Sequence, residues 1–191
     1  TNMDALTALH NRNSAAKLAD PAPQGDDREA IFQAALRAPD HARLRPWRFL
    51  TVEGDARLVL GEKMAAAALF ENPELDSAIH AKQLLAPMRA PLVIIAAAKI
   101  VEHPKVPEIE QLLSAGSAVS QMLTAAHALG FAGMWRTGSV SFSRMFMSSV
   151  GLAENETIVG FVYLGTAQGR QKTLPELAST DFFESWPAPN S

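Results

Sequence analysis

Two uninterrupted apolar runs constrain the fold of this chain most strongly. Residues 92–98 read LVIIAAA, and residues 157–165 read TIVGFVYLG, without alternation of polar and apolar side chains. A strand with one face in water alternates, whereas a strand covered on both faces reads as a continuous apolar run. Both runs are therefore predicted to be strands in the middle of a sheet, with helices on each of its faces.

Helical patterns supply this cover. Shorter helices are predicted for residues 3–11, 55–70 and 74–88, and another begins at Gln24 and is stopped by Pro39. Residues 49–52 are predicted to form a further strand. Residues 106–129 form the longest helical pattern, and Gly130 stands where a helix C-cap belongs. Its inward positions are predicted to be Ile109, Leu112, Leu113, Val119, Leu123 and Ala126. Within it, the small residues Ser114–Ala118 permit close approach of a cofactor or another backbone, although tight helix packing is the commoner cause.

Composition excludes several classes of function. The chain has 191 residues, 48% of them hydrophobic, a net charge of −3 and no cysteine. It is predicted to form a single domain over residues 1–191, without bulk nucleic-acid binding, disulfides or thiolate chemistry. The five histidines lack metal-ligand spacing, and the apolar run 90–98 is too short to cross a bilayer. We expect a cytoplasmic protein that binds neither metal nor membrane.

Cations concentrate where the second predicted helix gives way to a strand. This cluster has only Asp40 as a local counter-charge, and its members are Arg37, His41, Arg43, Arg45 and Arg48. Arginines on such a loop can grip an anion or a flat polar ring with two parallel hydrogen bonds. A solvated charged surface is the alternative.

Three further segments contain groups suited to a ligand. Residues 11–14 offer the guanidinium of Arg12 and the hydroxyl of Ser14, which suit a phosphate. Residues 130–138 are predicted to be a glycine-rich loop whose backbone N–H groups reach a ligand. Residues 165–170 leave a buried strand and put cations on a loop. Ordinary turns and surface loops are the alternative at each place.

The order and type of these segments resemble the nitroreductase family of FMN-dependent oxidoreductases, and within it the small YdjA-like branch. The resemblance extends from about Met3 to Gly169. The motifs that carry it are Asn11-Arg-x-Ser14, Arg37-Ala-Pro-Asp-His41, Arg45-Pro-Trp-Arg-Phe49, Lys105-Val-Pro107, Ser114-Ala-Gly116, Gly133-x-Trp-Arg136 and Ile158-Val-Gly-Phe-x-Tyr-Leu-Gly-Thr166.

The resemblance implies an α+β fold in which helices flank a mainly antiparallel central sheet. It also implies a domain-swapped homodimer with the helix of residues 106–129 at its interface. Residues 166–191 would form a C-terminal arm that packs on the partner subunit. This arm combines large aromatic side chains with prolines, namely Phe182, Phe183, Trp186, Pro175, Pro187 and Pro189.

The FMN phosphate would lie near the N-terminus. The resemblance assigns Arg12 and Ser14 to it, and Asn13 stands where the family has a second arginine. A basic residue after the last strand would complete this site, either Arg170 or Lys172.

The flavin ring would be contacted by two other segments. The resemblance places Arg37 beside it, and His41 would reach the flavin that is bound mainly by the other subunit. Trp135, Arg136 and Thr137 would run along the ring, with a backbone N–H near the flavin N5. Arg136 or Arg45 would be available to stabilise charge on the reduced ring.

The implied activity is hydride transfer from NADH or NADPH, through FMN, to a small electron-poor acceptor such as a nitroaromatic or a quinone. No catalytic side chain is required, because the flavin carries the electrons. Three alternatives remain: a flavin-binding protein without turnover, dehalogenation or flavin fragmentation on the same fold, and a helical dimerisation module without cofactor.

Overall fold

A computed structural model describes residues 3–170 and 172–187, so Pro189 lies outside the described residues. Its helices are α1 Ala5–Asn11, α2 Gly25–Ala35, α3 Ala56–Glu71, α4 Ser77–Leu85, α5 Glu108–Ala128 and α6 Arg144–Ser149. Its strands are β1 Leu18–Ala19, β2 Trp47–Glu53, β3 Leu92–Lys99, β4 Ala132–Arg136 and β5 Glu156–Ala167.

The strands form one sheet in which every pairing between them is antiparallel. Strand β3 lies between β2 and β5, and the other edge of β5 pairs with β4 and then with β1. All residues of β3 from Leu92 to Ala98 are buried. The predicted α+β class, with its mainly antiparallel sheet and two central strands, is therefore confirmed.

Helices cover both faces of this sheet, and a separate apolar core fills each interface. On one face, Phe161 and Tyr163 of β5 pack with side chains of α3 and α6, including Phe146. On the other face, Val162 and Leu164 pack with side chains of α2 and α5. Successive residues of β5 point to opposite faces, so one strand contributes to both cores.

Helix α5 ends at Ala128, and Gly130 terminates it two residues later, close to where the sequence predicted the cap. Gly130 has a φ of +88°, and its N–H donates to the His127 carbonyl at 3.0 Å, while the Phe131 N–H donates to Ala126 at 2.9 Å. This paired arrangement is the usual glycine C-cap. It reverses the chain sharply, so β4 starts two residues later. Two positions predicted to face inward, Ile109 and Leu113, are instead 58% and 62% exposed.

Three of the five small residues of α5 pack inside their own chain, as expected for tight helix packing. Ala115 and Ala118 are fully buried. The Ser114 hydroxyl donates to the Pro39 carbonyl at 2.6 Å and accepts from Trp47 Nε1 at 2.9 Å. Their small size therefore lets the loop before β2 and the sheet approach the helix.

The glycine-rich segment of residues 130–138 is not a loop, and this prediction was wrong. Most of it forms β4, which pairs with β5 over five residues. A Cβ on Gly133 would lie 2.7 Å from Leu123 Cδ2 and 2.8 Å from Leu164 Cδ2. Gly133 is required because α5 and β5 approach it closely, and not because the segment is flexible.

The C-terminal arm does not bury its aromatic side chains on its own chain. Phe182 is 68% exposed, Phe183 80% and Trp186 93%. None of the helices described is long and apolar enough to span a bilayer.

Candidate functional site

The candidate site lies along the free edge of β4. The segment after α1 meets this edge through a parallel bridge between Ser14 and Gly133, and the Ala15 N–H donates to the Gly133 carbonyl at 3.0 Å. Alternate residues of an antiparallel strand present their N–H and C=O to the same edge. The Trp135 N–H therefore points outward just beyond Ser14, and no partner for it is found in the described part of the chain.

Trp135 and Arg136 occupy opposite faces of the sheet. Trp135 Nε1 donates to the Val159 carbonyl at 3.0 Å, and the indole covers Gly160, which has no side chain in the way. The guanidinium carbon of Arg136 lies 5.4 Å from the centre of the Tyr163 ring, on the other face. Thr137 continues beyond the end of β4 and is exposed.

A cavity of about 730 Å³, which we call the N-terminal cavity, opens where the segment after α1 meets β4. Asn13, Ser14, Arg170 and Lys172 all line it. Lys172 Nζ donates to the Ser14 carbonyl at 2.8 Å, so the end of the chain after β5 closes one wall. No acidic side chain is present among the described residues that line this cavity.

Two side chains that line the N-terminal cavity were missed by sequence reasoning. Lys17 adds a third cation, and His127 also lines the cavity, with a buried Nε2 that has no hydrogen-bond partner among the described residues. His127 lies in the last turn of α5, and no local motif distinguishes it from a helix-end histidine. Three cations without an acidic neighbour favour an anionic ligand group.

The structure does not bring the remaining predicted residues into this cavity. Arg12 caps the end of α1, and its side chain is not part of the wall. Arg37 lies just beyond α2, where its carbonyl accepts from Gln121 at 3.4 Å.

His41 lies at the opposite end of α5. Its Nδ1 is 2.6 Å from Glu110 Oε2. Glu110 and His127 are separated by roughly 25 Å along the helix at 1.5 Å per residue. Within one chain, His41 therefore cannot contact a ligand in the N-terminal cavity.

A second cavity of about 390 Å³ lies between α4 and β4, and we call it the α4–β4 cavity. Lys82, Arg89 and Arg136 line it. Burial lowers the pKa of Arg136, and the nearby charge of Arg89 lowers it further. Burial also raises the pKa of the Tyr163 hydroxyl, since the ionised form would lose its hydration.

Comparison with solved structures places this fold among known ones. A nitroreductase-like family protein from Bacillus cereus has a TM-score of 0.78 at 19% identity, with 98% of each chain covered. A nitroreductase with bound FMN from Bacteroides fragilis has a TM-score of 0.73 at 21% identity, with 96% of this chain and 99% of the other covered. The fold is that of the nitroreductases.

Sequence comparison then identifies the family. The model described as "Nitroreductase family" matches residues 9–166. The Escherichia coli K12 protein named "Putative NAD(P)H nitroreductase YdjA" is 44% identical over 174 residues, which cover 90% of this chain and 92% of the relative. This chain belongs to the nitroreductase family, which confirms the family and the YdjA-like branch that the motifs indicated.

Proposed function

We propose that the protein is an FMN-dependent NAD(P)H oxidoreductase that transfers hydride, through bound FMN, to an electron-poor acceptor such as a nitroaromatic or a quinone. The observation that carries this proposal is the free edge of β4. An acid-free cationic cavity lies at one end of this edge, and the unpaired Trp135 N–H lies further along it. The Bacteroides fragilis neighbour with bound FMN supports the cofactor, and the Escherichia coli relative named as an NAD(P)H nitroreductase supports the reductant.

The residues present suit each part of FMN. Ser14, Arg170 and Lys172 supply a hydroxyl and two cations for the phosphate in the N-terminal cavity. The cavity volume of about 730 Å³ lies within the usual range for small-molecule sites, roughly 300–1,000 Å³. The Trp135 N–H is a fixed donor for a ring nitrogen. FMN is therefore a better match than a ligand without a phosphate.

When bound, FMN supplies the two-electron chemistry, since it accepts hydride from NAD(P)H and passes the electrons on. The chain's own residues bind and orient the reactants. Lys172 and Ser14 hold the phosphate end, and the rigid pairing of β4 with β5 holds the ring donor. Arg136 carries a positive charge at the end of β4, where it favours negative charge on a nearby ring.

We propose that the active unit is a homodimer. His41 of one subunit would reach the flavin bound mainly by the other, because it lies too far from the N-terminal cavity of its own chain. The arm of residues 166–191 would bury its exposed aromatics on the partner subunit. Residues 1–191 would act as one domain.

Flavin binding by single-residue variants tests the phosphate site. We expect Lys172→Gln to weaken FMN binding by roughly ten- to a hundredfold, because one charge-assisted hydrogen bond contributes about 1.5–3 kcal/mol. Riboflavin, which lacks the phosphate, should lose little affinity. Arg12→Ala measured in parallel separates the residue indicated by the motif from the one that lines the cavity. Lys99→Gln, an exposed cation at the end of β3, is the matched control.

Equal losses for FMN and riboflavin would show that Lys172 does not bind the phosphate. Anaerobic addition of NADH or NADPH to the purified protein then tests turnover through bleaching of the flavin absorbance. A protein that retains FMN but is reduced by neither nicotinamide would be a flavin-binding protein without this activity.

A further inference from the structure

An apolar groove, which we call the α2–β2 groove, lies between α2, β2 and α5. Phe32, Leu36, Phe49, Thr51 and Met122 are among the residues that line it, and none of the described lining residues is charged. It shares no described lining residue with the N-terminal cavity or the α4–β4 cavity. Its volume of about 230 Å³ is below the range for small-molecule sites, roughly 300–1,000 Å³. The groove therefore suits one large side chain better than a cofactor.

The free edge of β2 runs beside this groove. Strand β2 pairs only with β3 among the strands described. The Lys99 N–H donates to the Pro46 carbonyl at 3.0 Å, so Pro46 and every second residue after it bond toward β3. The backbone groups of Phe49 and Thr51 therefore point away from β3, and neither N–H has a partner among the residues described. An extended segment could pair with this edge and place a side chain in the groove.

The C-terminal arm has the side chains that such a groove requires. Trp186 and Phe183 are the two most exposed of the large apolar side chains described. Each aromatic side chain buries about 150–250 Å² when it is covered. Because both are exposed in their own chain, they do not fill the groove of that chain. A second copy of the chain is therefore the occupant that fits, since each member of a symmetric pair offers one arm and one groove.

Charge favours the same pairing. Residues 174–187 of the arm include three carboxylates and no lysine or arginine. At the groove, Arg37 directly follows the lining residue Leu36, and Arg43 lies shortly before β2. Neither arginine forms an ion pair within the part of the chain that the structure describes. Opposite charges on two surfaces steer their association and fix the orientation in which they meet.

We propose that the arm of a second copy lies along the free edge of β2 and inserts Trp186 into the α2–β2 groove. This inference rests on the proposed homodimer and names the surface that receives the arm. Leu174, near the start of the arm, lines the N-terminal cavity. The arm therefore connects the cavity proposed for the phosphate in one subunit to the sheet edge of the other.

Cross-linking tests this contact directly, because the chain has no cysteine of its own. The full-length double variant Leu36→Cys/Phe183→Cys has one thiol at the groove and one in the arm. Ile79→Cys/Phe183→Cys is the matched control, since Ile79 and Leu36 are both 48% exposed and Ile79 lies on α4. With a short bismaleimide, we expect roughly tenfold more covalent dimer from the groove variant, because a docked arm raises the effective concentration of the two thiols.

A third substitution identifies the side chain that anchors the arm. Trp186→Ala, added to Leu36→Cys/Phe183→Cys, should lower the yield of covalent dimer. In the chain without cysteine it should weaken the dimer roughly tenfold or more, since a tryptophan buried in an interface is often a hot spot. Ser185→Ala, at the neighbouring exposed position, should change neither quantity.

Two outcomes would overturn the inference. Equal yields from the groove and control variants would show that the arm does not dock at β2, and links formed within one chain would show that it folds back. The cross-link needs no flavin reduction, so it is independent of turnover. A protein linked through the groove but reduced by neither nicotinamide would refute the proposed activity and leave this contact standing. A protein that is reduced but does not link through the groove would refute the contact alone.

Discussion

The position of Trp135 over Gly160 leads to the most specific prediction about the candidate site. A Cβ on Gly160 would overlap Nε1 and Cδ1 of the Trp135 indole, and it would lie 3.2 Å from the Arg136 carbonyl oxygen. Gly160→Ala must therefore displace the indole from β5. The displacement also breaks the 3.0 Å hydrogen bond from Trp135 Nε1 to the Val159 carbonyl.

The expected cost follows from two terms. Overpacking a well-filled position costs about 1–3 kcal/mol. Loss of a hydrogen bond costs about 0.5–1.5 kcal/mol. Trp135 is 40% exposed, so the indole can rotate toward solvent and relieve part of the clash. We therefore expect Gly160→Ala to lower the free energy of unfolding by about 2 kcal/mol.

A second glycine beside the same indole provides the control. The atom nearest to a Cβ on Gly116 is Trp135 Cη2, at 3.4 Å, which is an ordinary contact. Gly116 lies inside α5, where alanine is favoured over glycine by about 0.8–1.0 kcal/mol. Gly116→Ala should therefore be neutral or stabilising, although it approaches the indole as Gly160→Ala does.

Urea unfolding of both variants measures these differences through the midpoint and the slope. A double-mutant cycle with Trp135→Ala identifies the cause, because alanine has neither of the two overlapping atoms, Nε1 and Cδ1. Gly160→Ala should cost clearly less in the Trp135→Ala background. An equal cost in both backgrounds, or no cost in either, would refute the position of Trp135 over β5. FMN affinity should fall together with stability in Gly160→Ala, since the Trp135 N–H of β4 is the proposed donor to the flavin ring.

Three other predictions concern charge, assembly and kinetics. Hydrogen bonds from Arg28 at 2.8 and 3.0 Å lower the pKa of Glu53 in the folded protein. This exposed pair contributes about 0.2–1 kcal/mol to the free energy of unfolding. The contribution is present above the unfolded pKa of about 4.3, and it is lost as the pH falls through the lower folded pKa. Unfolding of wild type and Glu53→Gln should differ at pH 7 and converge near pH 3, and a constant difference would contradict the assignment. If the proposed homodimer forms, deletion from Leu174 onward should weaken it and lower FMN retention together, as measured by light scattering and flavin absorbance. A truncated protein that stays dimeric and fully yellow would disprove the role of the arm. Initial rates against NAD(P)H and acceptor should give parallel lines if, as proposed, the two react with the same flavin in turn, whereas intersecting lines would require a ternary complex.

Local pattern explains which parts of the fold could be predicted from the sequence. The runs 92–98 and 157–165 are apolar at every position that must be covered on both faces, so they indicate central strands without any knowledge of their partners. Gly130 indicates the end of α5 because a positive φ is a local requirement. The family could be recognised because its motifs are short and lie in a set order along the chain.

Long-range packing decided the rest. Whether residues 132–136 are loop or strand depends on β5 being available as a partner, and Gly133 is needed there because α5 and β5 approach it closely. Lys172 and Ser14 are 158 residues apart, yet a hydrogen bond joins them. Lys82, Arg89 and Arg136 meet only because α4, the turn before β3 and the end of β4 converge on one face of the sheet. Sequence position says nothing about such convergence, because the paths of the chain between these segments determine which charges become neighbours.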